Sequence, residues 1–189
     1  ASRTVKGPIG LVGAGYIGHL FAQQFALAGY EVRAWSPSSS VHTLGDRLRQ
    51  SLATLAQIGM VEAGEVDAVA ARVSTHDDLA TALAPCGAVL EAIVEDAAAK
   101  SACFADIEAA VAPEALLWSA TSNFPMNKLA ADLARPERAV VLHPVQTQLM
   151  IVVAALTRSL RSEATLAATM GFCAECCLRA VRVSTEIPG

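Results

Sequence analysis

Hydrophobic residues in this chain recur in two patterns that alternate along its length. Strands are predicted at 9–12, 31–35, 72–75, 88–94, 116–119 and 139–142. Those at 9–12, 88–94, 116–119 and 139–142 are largely apolar runs, typical of strands buried on both faces of a parallel sheet. Apolar residues three and four apart predict helices at 17–27, 41–59, 66–71, 77–84, 95–111 and 125–134. This alternation predicts an α/β fold with a doubly wound, mostly parallel sheet.

The first strand and the first helix are joined by the sequence Gly-Ala-Gly-Tyr-Ile-Gly at 13–18. A G-x-G-x-x-G motif between a strand and a helix is the dinucleotide-binding fingerprint. Gly13 would make the tight turn, Gly15 would let the backbone approach a pyrophosphate, and Gly18 would let helix and strand pack closely. The alternative is a glycine-rich turn that binds nothing.

The residue after the second strand bears on the choice of cofactor. An acidic residue usually occupies this place and binds the ribose 2′-hydroxyl of NAD, whereas this chain has Ser36. Since serine would not repel a 2′-phosphate, NADP is compatible as well as NAD. No arginine follows Ser36 directly, Arg33 lies within the strand, and Arg47 is expected on the solvent side of its helix. The choice between NAD and NADP therefore stays open.

Size and charge exclude several classes of protein. The chain has 189 residues and a net charge of −4, which gives no general attraction to nucleic acid or anionic membranes. It contains no run of eighteen apolar residues, so no membrane span is expected. We predict a cytoplasmic protein with a flexible lead-in at 1–7 and one dinucleotide-binding domain at 8–189.

Three of the five cysteines cluster at Cys173, Cys176 and Cys177. A zinc or redox site is one interpretation of this spacing. The other is a helix that carries small buried thiols, as intracellular proteins often do. Because no second Cys/His pair completes a set of four ligands, no metal is expected.

Polar residues follow three of the predicted strands, at Glu95, Ser119 to Asn123 and His143. Ligands bind at the carboxyl ends of strands in such sheets, so these clusters should lie at the same edge as the glycine motif. A histidine there, near a serine, is a credible general base. The other histidines are less suited: His19 is predicted to face outward, and two more, His42 and His76, lie near a helix start and in a loop.

Several of these segments together resemble a known family. They are the glycine motif from Ile9 to Gly18, Leu90 to Asp96 with Lys100, Ser119 to Ser122, Lys128-Leu129, Val141 to Val145 and Glu186 to Gly189. From about residue 8 onward the chain resembles the NAD-binding domain of the L-3-hydroxyacyl-CoA dehydrogenase superfamily. It looks most similar to the branch of lambda-crystallin and L-gulonate 3-dehydrogenase.

The resemblance implies an NAD(P)-dependent oxidoreductase that oxidises a 3-hydroxy group of an acyl-CoA or a small hydroxy acid. His143 would be the general base and Ser122 would hydrogen-bond the substrate oxygen. Glu95 and Lys100 would line the nicotinamide side of the cleft, with Lys100 one turn into a helix that Glu95 opens. The residues implied for binding the pyrophosphate are Gly13, Gly15, Tyr16, Ile17 and Gly18.

The chain departs from the family pattern after the histidine. Gln146 stands where the family has asparagine, and Ala155 stands where it has the carboxylate that orients the imidazole. Thr147, Gln148, Arg158 and Arg161 are also atypical. The resemblance implies a homo-oligomer that forms through the helical C-terminal domain following Pro-Gly in the family, a domain that is expected to be absent from this chain. We therefore predict dinucleotide binding with weak or no turnover of a small-molecule substrate.

Two other interpretations remain. The first is a non-catalytic dinucleotide-binding or crystallin-like structural protein, which Ala155 favours. The second is another dinucleotide-dependent reductase that shares only the glycine motif, against which the Ser122 and His143 segments argue.

Overall fold

A computed structural model gives the fold and describes residues 3–146, 151–155 and 162–183. These residues form eight strands, numbered in chain order: β1 (Ile9–Val12), β2 (Val32–Trp35), β3 (Val73–Thr75), β4 (Ala88–Glu91), β5 (Leu116–Ser119), β6 (Ala139–Gln146), β7 (Ile151–Ala155) and β8 (Arg179–Val183). They also form seven α-helices: α1 (Tyr16–Leu27), α2 (Leu44–Gln57), α3 (Val66–Ala70), α4 (Leu79–Leu83), α5 (Ala97–Ala110), α6 (Met126–Leu129) and α7 (Glu163–Glu175). None of the described helices is long and apolar enough to cross a membrane.

All eight strands lie in one sheet with the order β3-β2-β1-β4-β5-β6-β7-β8. The six strands from β3 to β6 run parallel, β7 pairs antiparallel with β6, and β8 runs parallel to β7. The predicted doubly wound, mostly parallel sheet is confirmed. The strand order reverses between β1 and β4, which is where such sheets open a ligand crevice.

The register of the sheet brings the carboxyl ends of its central strands into one line. Val12 pairs with Trp35 on one side and with Glu91 on the other, Glu91 pairs with Ser119, and Ser119 pairs with Val141. The segments that follow these residues therefore begin at the same edge. The prediction that the glycine motif shares an edge with the later polar clusters is confirmed in this respect.

Apolar residues cover both faces of the sheet. On one face, Phe172 of α7 packs with ring centroids 4.6 Å from Trp118 and 5.1 Å from Phe25. On the other, Phe104 and Ile107 of α5 are fully buried with the alternate side chains of β4 and β5. The double cover explains why the strands have continuous apolar runs.

Two predicted boundaries around β4 are wrong. The strand ends at Glu91 rather than at residue 94, because the Glu91 carboxylate accepts a hydrogen bond from the Ile93 amide at 2.8 Å and turns the chain. The next helix begins at Ala97, since Asp96 caps it by accepting from the Ala99 amide at 2.8 Å. Glu95 therefore lies in the loop and does not open α5.

Three further boundaries differ from the predictions. β6 continues through His143 because β7 pairs with it beyond Leu142. α6 is one turn long, since Glu108 of α5 accepts the Ala134 amide at 2.8 Å and draws the following chain away from a helical path. The predicted helix at 41–59 is a short 3₁₀ helix (Ser39–Thr43) followed by α2.

The described residues after His143 add elements that the sequence patterns did not predict. β7, α7 and β8 extend the sheet and cover one of its faces. Helix α7 is amphipathic only weakly by sequence, since threonines and cysteines stand among its buried positions. Its N-terminus is nevertheless clear in the structure, where Ser162 accepts from the Thr165 amide at 3.1 Å.

The described part of the predicted flexible lead-in makes contacts with the domain. Val5 is buried in the core, Arg3 donates to the Gly29 carbonyl at 2.7 Å, and the Thr4 amide donates to Glu175 at 2.8 Å. These contacts argue against free motion of residues 3–7.

Candidate functional site

A cleft of about 450 Å³ lies at the carboxyl edge of the sheet, at the point where the strand order reverses. Three segments form its walls: the glycine motif after β1, the serine-rich turn after β2 and the loop after β4. From the predicted set, Gly13, Gly15 and Ser36 line it. An elongated cleft across this crevice is where the fold binds dinucleotides.

The three motif glycines have separate structural roles. A Cβ on Gly13, which has φ +101°, would lie 2.5 Å from the Ala92 carbonyl oxygen, and a Cβ on Gly18 would clash with the Gly13 carbonyl. Gly15 differs, because a Cβ there would meet no atom within 4 Å and would instead enter open space. Gly13 and Gly18 are thus required for packing, whereas Gly15 leaves room for a ligand.

Helix α1 begins at this open space with its amides uncapped. The helix starts with Tyr16 and Ile17 after its N-cap, Gly15. No side chain accepts a hydrogen bond from its first amides, and its first turn has no acidic residue. The N-termini of α4, α5 and α7 are each capped by a side chain, from Asp78, Asp96 and Ser162 respectively. Free amides and the positive end of the helix dipole suit a pyrophosphate.

The far wall of the cleft consists of residues that the sequence patterns did not single out. They are Leu79 of α4, Ala92 to Val94 after β4, and Ala99, Ala102, Cys103 and Asp106 of α5. Their apolar surfaces suit a flat aromatic base. The predicted strand order could have identified these residues, because the loop and helix after β4 must face the point at which the strand order reverses.

Ser36 belongs to a cluster of three hydroxyls at the end of the cleft next to β2. Its Oγ lies 3.1 Å from Ser38 Oγ and 3.4 Å from Ser40 Oγ, and the latter two are 2.7 Å apart. All three residues line the cleft. The role of Ser38 and Ser40 was not predicted, because the serines were interpreted as a strand end and helix cap.

Arg47 does not project freely into solvent as predicted. Its Nη2 donates to the carbonyl oxygens of Ala14 at 2.5 Å and Ser40 at 2.9 Å, and its Nε donates to Thr43 Oγ1 at 3.3 Å. The long side chain reaches back across the helix end, so helical periodicity alone gave the wrong environment. Arg47 therefore joins the glycine motif to the serine-rich turn.

A buried ion pair stands behind the loop after β4. Lys100 and Glu91 have side chains that are 1% and 0% exposed, and Lys100 Nζ lies 2.7 Å from Glu91 Oε1. Ser119 donates to the other oxygen of Glu91 at 2.6 Å. A fully buried carboxylate is costly unless it is paired and hydrogen-bonded in this way. The role of Glu91 was not predicted, because it was assigned only to a buried strand.

Glu95 connects this ion pair to the loop that contains Ser122. It lies 3.2 Å from Lys100 and accepts hydrogen bonds from Thr121 Oγ1 at 2.6 Å and from the amides of Ser122 at 2.9 Å and Asn123 at 3.0 Å. Partial burial by itself would raise the pKa of Glu95, but these four donors together hold it below its ordinary value. Glu95 thus fixes the backbone around Ser122, whose side chain is exposed.

The prediction that Lys100 lines the cleft does not match this geometry. Its ammonium group is buried and paired with two carboxylates, and neither it nor Glu95 is among the residues that line the cleft. In this arrangement Lys100 supports the loops on both sides rather than presenting its charge to a ligand.

His143 lies within β6, half-buried, two residues past the line of strand ends. Its Nδ1 is buried and makes no hydrogen bond within the described part of the chain. Val153 of β7 pairs with His143, and Ala155 pairs with Val141. Position 155 is therefore a diagonal neighbour of His143 on the same face of the sheet. The predicted departures at 147, 148, 158 and 161, and the family-like segment 186–189, lie outside the described residues.

The remaining histidines and the three clustered cysteines do not line the cleft. His19 is half-buried rather than outward-facing, and burial, followed by the charge of Arg47, lowers its pKa. Of the clustered cysteines, Cys173 and Cys176 are buried and Cys177 is exposed. Among the described residues, no three His, Cys, Asp or Glu side chains are placed to hold a metal ion.

A doubly wound sheet, a glycine-motif cleft at its switch point and an uncapped helix that begins within that motif define a dinucleotide-binding protein. Residues 8–187 match the NAD-binding domain of the 3-hydroxyacyl-CoA dehydrogenase family. The chain belongs to this family.

Named relatives have the same domain. Over 162 residues the chain is 35% identical to a 3-hydroxybutyryl-CoA dehydrogenase of Mycobacterium tuberculosis, which covers 85% of this chain and 56% of the relative. It is 33% identical over 144 residues to an L-carnitine dehydrogenase of Streptomyces coelicolor, and the match covers 76% of this chain and 44% of that relative. The crystal structure of M. tuberculosis FadB2 superposes with a TM-score of 0.88 at 32% identity, covering 98% of this chain and 65% of that one.

The chain thus spans about half the length of the curated relatives it matches. These comparisons assign the domain and its cofactor class. Activity, substrate and assembly are properties of a whole enzyme, and we treat them as proposals.

Proposed function

We propose that this chain is the cofactor-binding part of an NAD(P)-dependent dehydrogenase that oxidises a 3-hydroxy group. The observation that carries the proposal is the sheet register. It aligns Val12, which precedes the glycine motif, with Glu91, then with Ser119, which precedes the Ser122 loop, and then with Val141, two residues before His143 within β6. In this proposal a substrate oxygen binds at the edge that the Ser122 loop, His143 and the dinucleotide cleft share. Family membership supports the same class of reaction.

In this proposal each residue has a limited task. A bound nicotinamide ring supplies the redox chemistry by accepting a hydride. Ser122 hydrogen-bonds the substrate oxygen from a loop that Glu95 holds in place. His143 accepts the hydroxyl proton as general base, through Nε2, because Nδ1 is buried in the protein. The free amides of α1 bind the pyrophosphate.

The names of the relatives suggest a substrate class for this proposal. The relatives are named for 3-hydroxybutyryl-CoA and L-carnitine, which are both 3-hydroxy compounds. We propose a 3-hydroxyacyl-CoA or a small 3-hydroxy acid. Membership of the lambda-crystallin and L-gulonate 3-dehydrogenase branch stays a prediction, based on the residues His143-Pro144-Val145.

Dinucleotide binding and substrate oxidation are best tested separately. Calorimetric titration with NADH measures the first, and NADH formation from 3-hydroxybutyryl-CoA and from L-carnitine measures the second. We expect binding with weak or no turnover, and any turnover should be lost in His143→Gln but kept in His42→Gln, which changes an exposed histidine. Failure to bind NADH would contradict the proposal. Activity that survives His143→Gln would remove the histidine from its role.

A second candidate function is non-catalytic dinucleotide binding. It is favoured by the His143 Nδ1 atom, which finds no acceptor within the described residues. An imidazole without an orienting acceptor is free in tautomer and weaker as a base. Dinucleotide binding with no turnover of either substrate, even in a longer chain, would support this candidate.

Location and assembly also remain proposals. We propose a cytoplasmic protein that forms a homo-oligomer. Tyr16, Val94 and Val145, which follow β1 and β4 or lie at the end of β6, are all more than half exposed. Sedimentation at several protein concentrations would detect self-association.

A further inference from the structure

The end of the cleft next to β2 differs chemically from a site built for NAD alone. The place of the usual ribose-binding carboxylate is taken by Ser36, whose hydroxyl lies within 3.4 Å of those of Ser38 and Ser40. Each hydroxyl can rotate and donate either to its neighbours or to a ligand. The three serines together place several donors at one point. A phosphate, which has several oxygens, can accept from all of them, whereas a single ribose hydroxyl cannot.

A positive charge lies beside these hydroxyls. The Arg47 Nη2 donates to the backbone carbonyl of Ser40 itself at 2.9 Å, so its guanidinium lies next to the cluster. Arg47 is not itself among the residues that line the cleft, and its Nη1 makes no hydrogen bond to any residue that the structure describes. Arginine is the side chain best suited to phosphate, because its planar fork matches two oxygens.

Two other charged residues near this end of the cleft, Arg33 and Asp106, do not belong to the serine cluster. Arg33 is turned away, with Nε on the Ala82 carbonyl at 2.7 Å and Nη2 on the Thr81 carbonyl at 2.9 Å. Asp106 is the one carboxylate among the described lining residues, and it belongs to α5 rather than to the serine-rich turn. The cluster therefore has one adjacent cation and no carboxylate of its own.

We propose that this cleft accepts the 2′-phosphate of NADP(H), so that the chain binds NADP(H) as well as NAD(H). The serine hydroxyls donate to the phosphate oxygens, and Arg47 neutralises part of the charge. An acidic residue at position 36 would exclude the same phosphate by repulsion between like charges. The inference rests on the proposed dinucleotide binding and concerns its adenosine end alone.

Calorimetric titrations at fixed ionic strength test this directly, with NADH and NADPH and with the fragments 5′-ADP and 2′,5′-ADP. We expect NADPH to bind within about threefold of NADH or more tightly, and 2′,5′-ADP to bind more tightly than 5′-ADP by at least about threefold, since charge-assisted bonds to the phosphate are gained. NADH binding about tenfold tighter than NADPH would overturn the inference and leave the proposed function intact. Failure of both dinucleotides to bind would overturn both.

Two variants identify the residues responsible. Ser36→Asp should weaken NADPH by about tenfold or more and leave NADH nearly unchanged. Arg47→Gln should weaken the binding of NADPH more than that of NADH, because only NADPH has the 2′-phosphate that the arginine neutralises. Any loosening of the glycine motif would weaken both ligands alike. Arg49→Gln is the matched control: this arginine, on the same helix, lies 3.4 Å from Asp46 and should leave the ratio unchanged. Equal losses of both ligands in Arg47→Gln would assign Arg47 a purely structural role.

Discussion

The two ends of the carboxyl edge of the sheet, one at the glycine motif and one at His143, differ in how complete their sites are. Around the glycine motif, Gly13 and Gly18 allow close packing, while the open space at Gly15 and the free amides of α1 are available to a dinucleotide. Around His143, the imidazole is at the right edge but its buried Nδ1 has no acceptor in the described residues. Binding a dinucleotide and activating a substrate are therefore separable, and this chain has more of what the first requires.

Lys100 lies between these two ends, since it holds Glu91 of the cleft side and Glu95 of the Ser122 side. It touches neither ligand site, yet both loops depend on it. Its removal is expected to damage both ends together, which makes it the most severe test of the comparison.

Lys100→Met should cost about 3–5 kcal/mol of unfolding free energy, because Glu91 would be left as a buried charge without a partner. Urea unfolding measures the loss. Lys128→Met is the control, since Lys128 is exposed and should change stability by at most about 0.5 kcal/mol.

The double variant Glu91→Gln with Lys100→Met should recover part of that loss, since both buried charges are then removed. A Lys100→Met protein within about 1 kcal/mol of the parent would mean that Glu91 is protonated or hydrated without the lysine. In that case the ion pair would not be what supports the two loops.

A pair of glycine substitutions separates packing from binding at the better-built end. Gly18→Ala should cost about 1–3 kcal/mol, because its Cβ clashes with the Gly13 carbonyl. Gly15→Ala should leave stability nearly unchanged and yet weaken NADH by about tenfold or more, since the methyl group enters the space proposed for the pyrophosphate. Thermal unfolding and calorimetric titration of the same samples distinguish the two effects. Unchanged NADH affinity in Gly15→Ala would refute the assignment of this space.

The strands along this edge differ in how well the sequence predicts their bounds. β1 and β5 have their predicted bounds, because both faces of each strand are covered and the apolar run is continuous. β4 ends three residues early because the Glu91 side chain accepts a hydrogen bond from the Ile93 amide, and β6 runs on because β7 pairs with it. Both causes are tertiary contacts, which periodicity does not report.

The same limit applies to the site. Gly13, Gly15 and Ser36 could be assigned to the cleft from motif and spacing, since they depend on local backbone. Arg47 could not, because its bond to Ala14 joins residues 33 apart in sequence. The pairing of Lys100 with Glu91 could not be predicted for a similar reason: it depends on a turn after Glu91 that the sequence pattern had assigned to the strand.

The weaker end can be strengthened by one substitution. Ala155→Glu would place a carboxylate diagonally across from His143, and an acceptor for Nδ1 fixes the tautomer and raises the basicity of the imidazole. We expect turnover of 3-hydroxybutyryl-CoA to rise by about tenfold or more, a part of the 10²–10⁴-fold that a positioned base contributes. Ala155→Gln is the control, since it matches the size without the charge. An equal effect of both variants would assign the gain to packing.

The smallest expected effect concerns pH and the Ser122 loop. The pKa of Glu95 lies below its ordinary value of 4.5, so its contribution to the loop is complete above that pH and is lost as the pH falls through the lower folded-state pKa. Hydrogen exchange of the Ser122 and Asn123 amides should therefore lose protection below about pH 4.5, after correction for the intrinsic rate.

The Gly13 amide provides an internal control for this measurement. It donates to the Trp35 carbonyl at 2.9 Å, where no titrating group takes part, so its protection should stay constant over the same range. In Glu95→Gln the pH dependence at Ser122 should disappear, since an amide does not titrate. If all three amides lost protection together, acid would be acting on the whole domain, and the Ser122 loop would have no separate tie to Glu95.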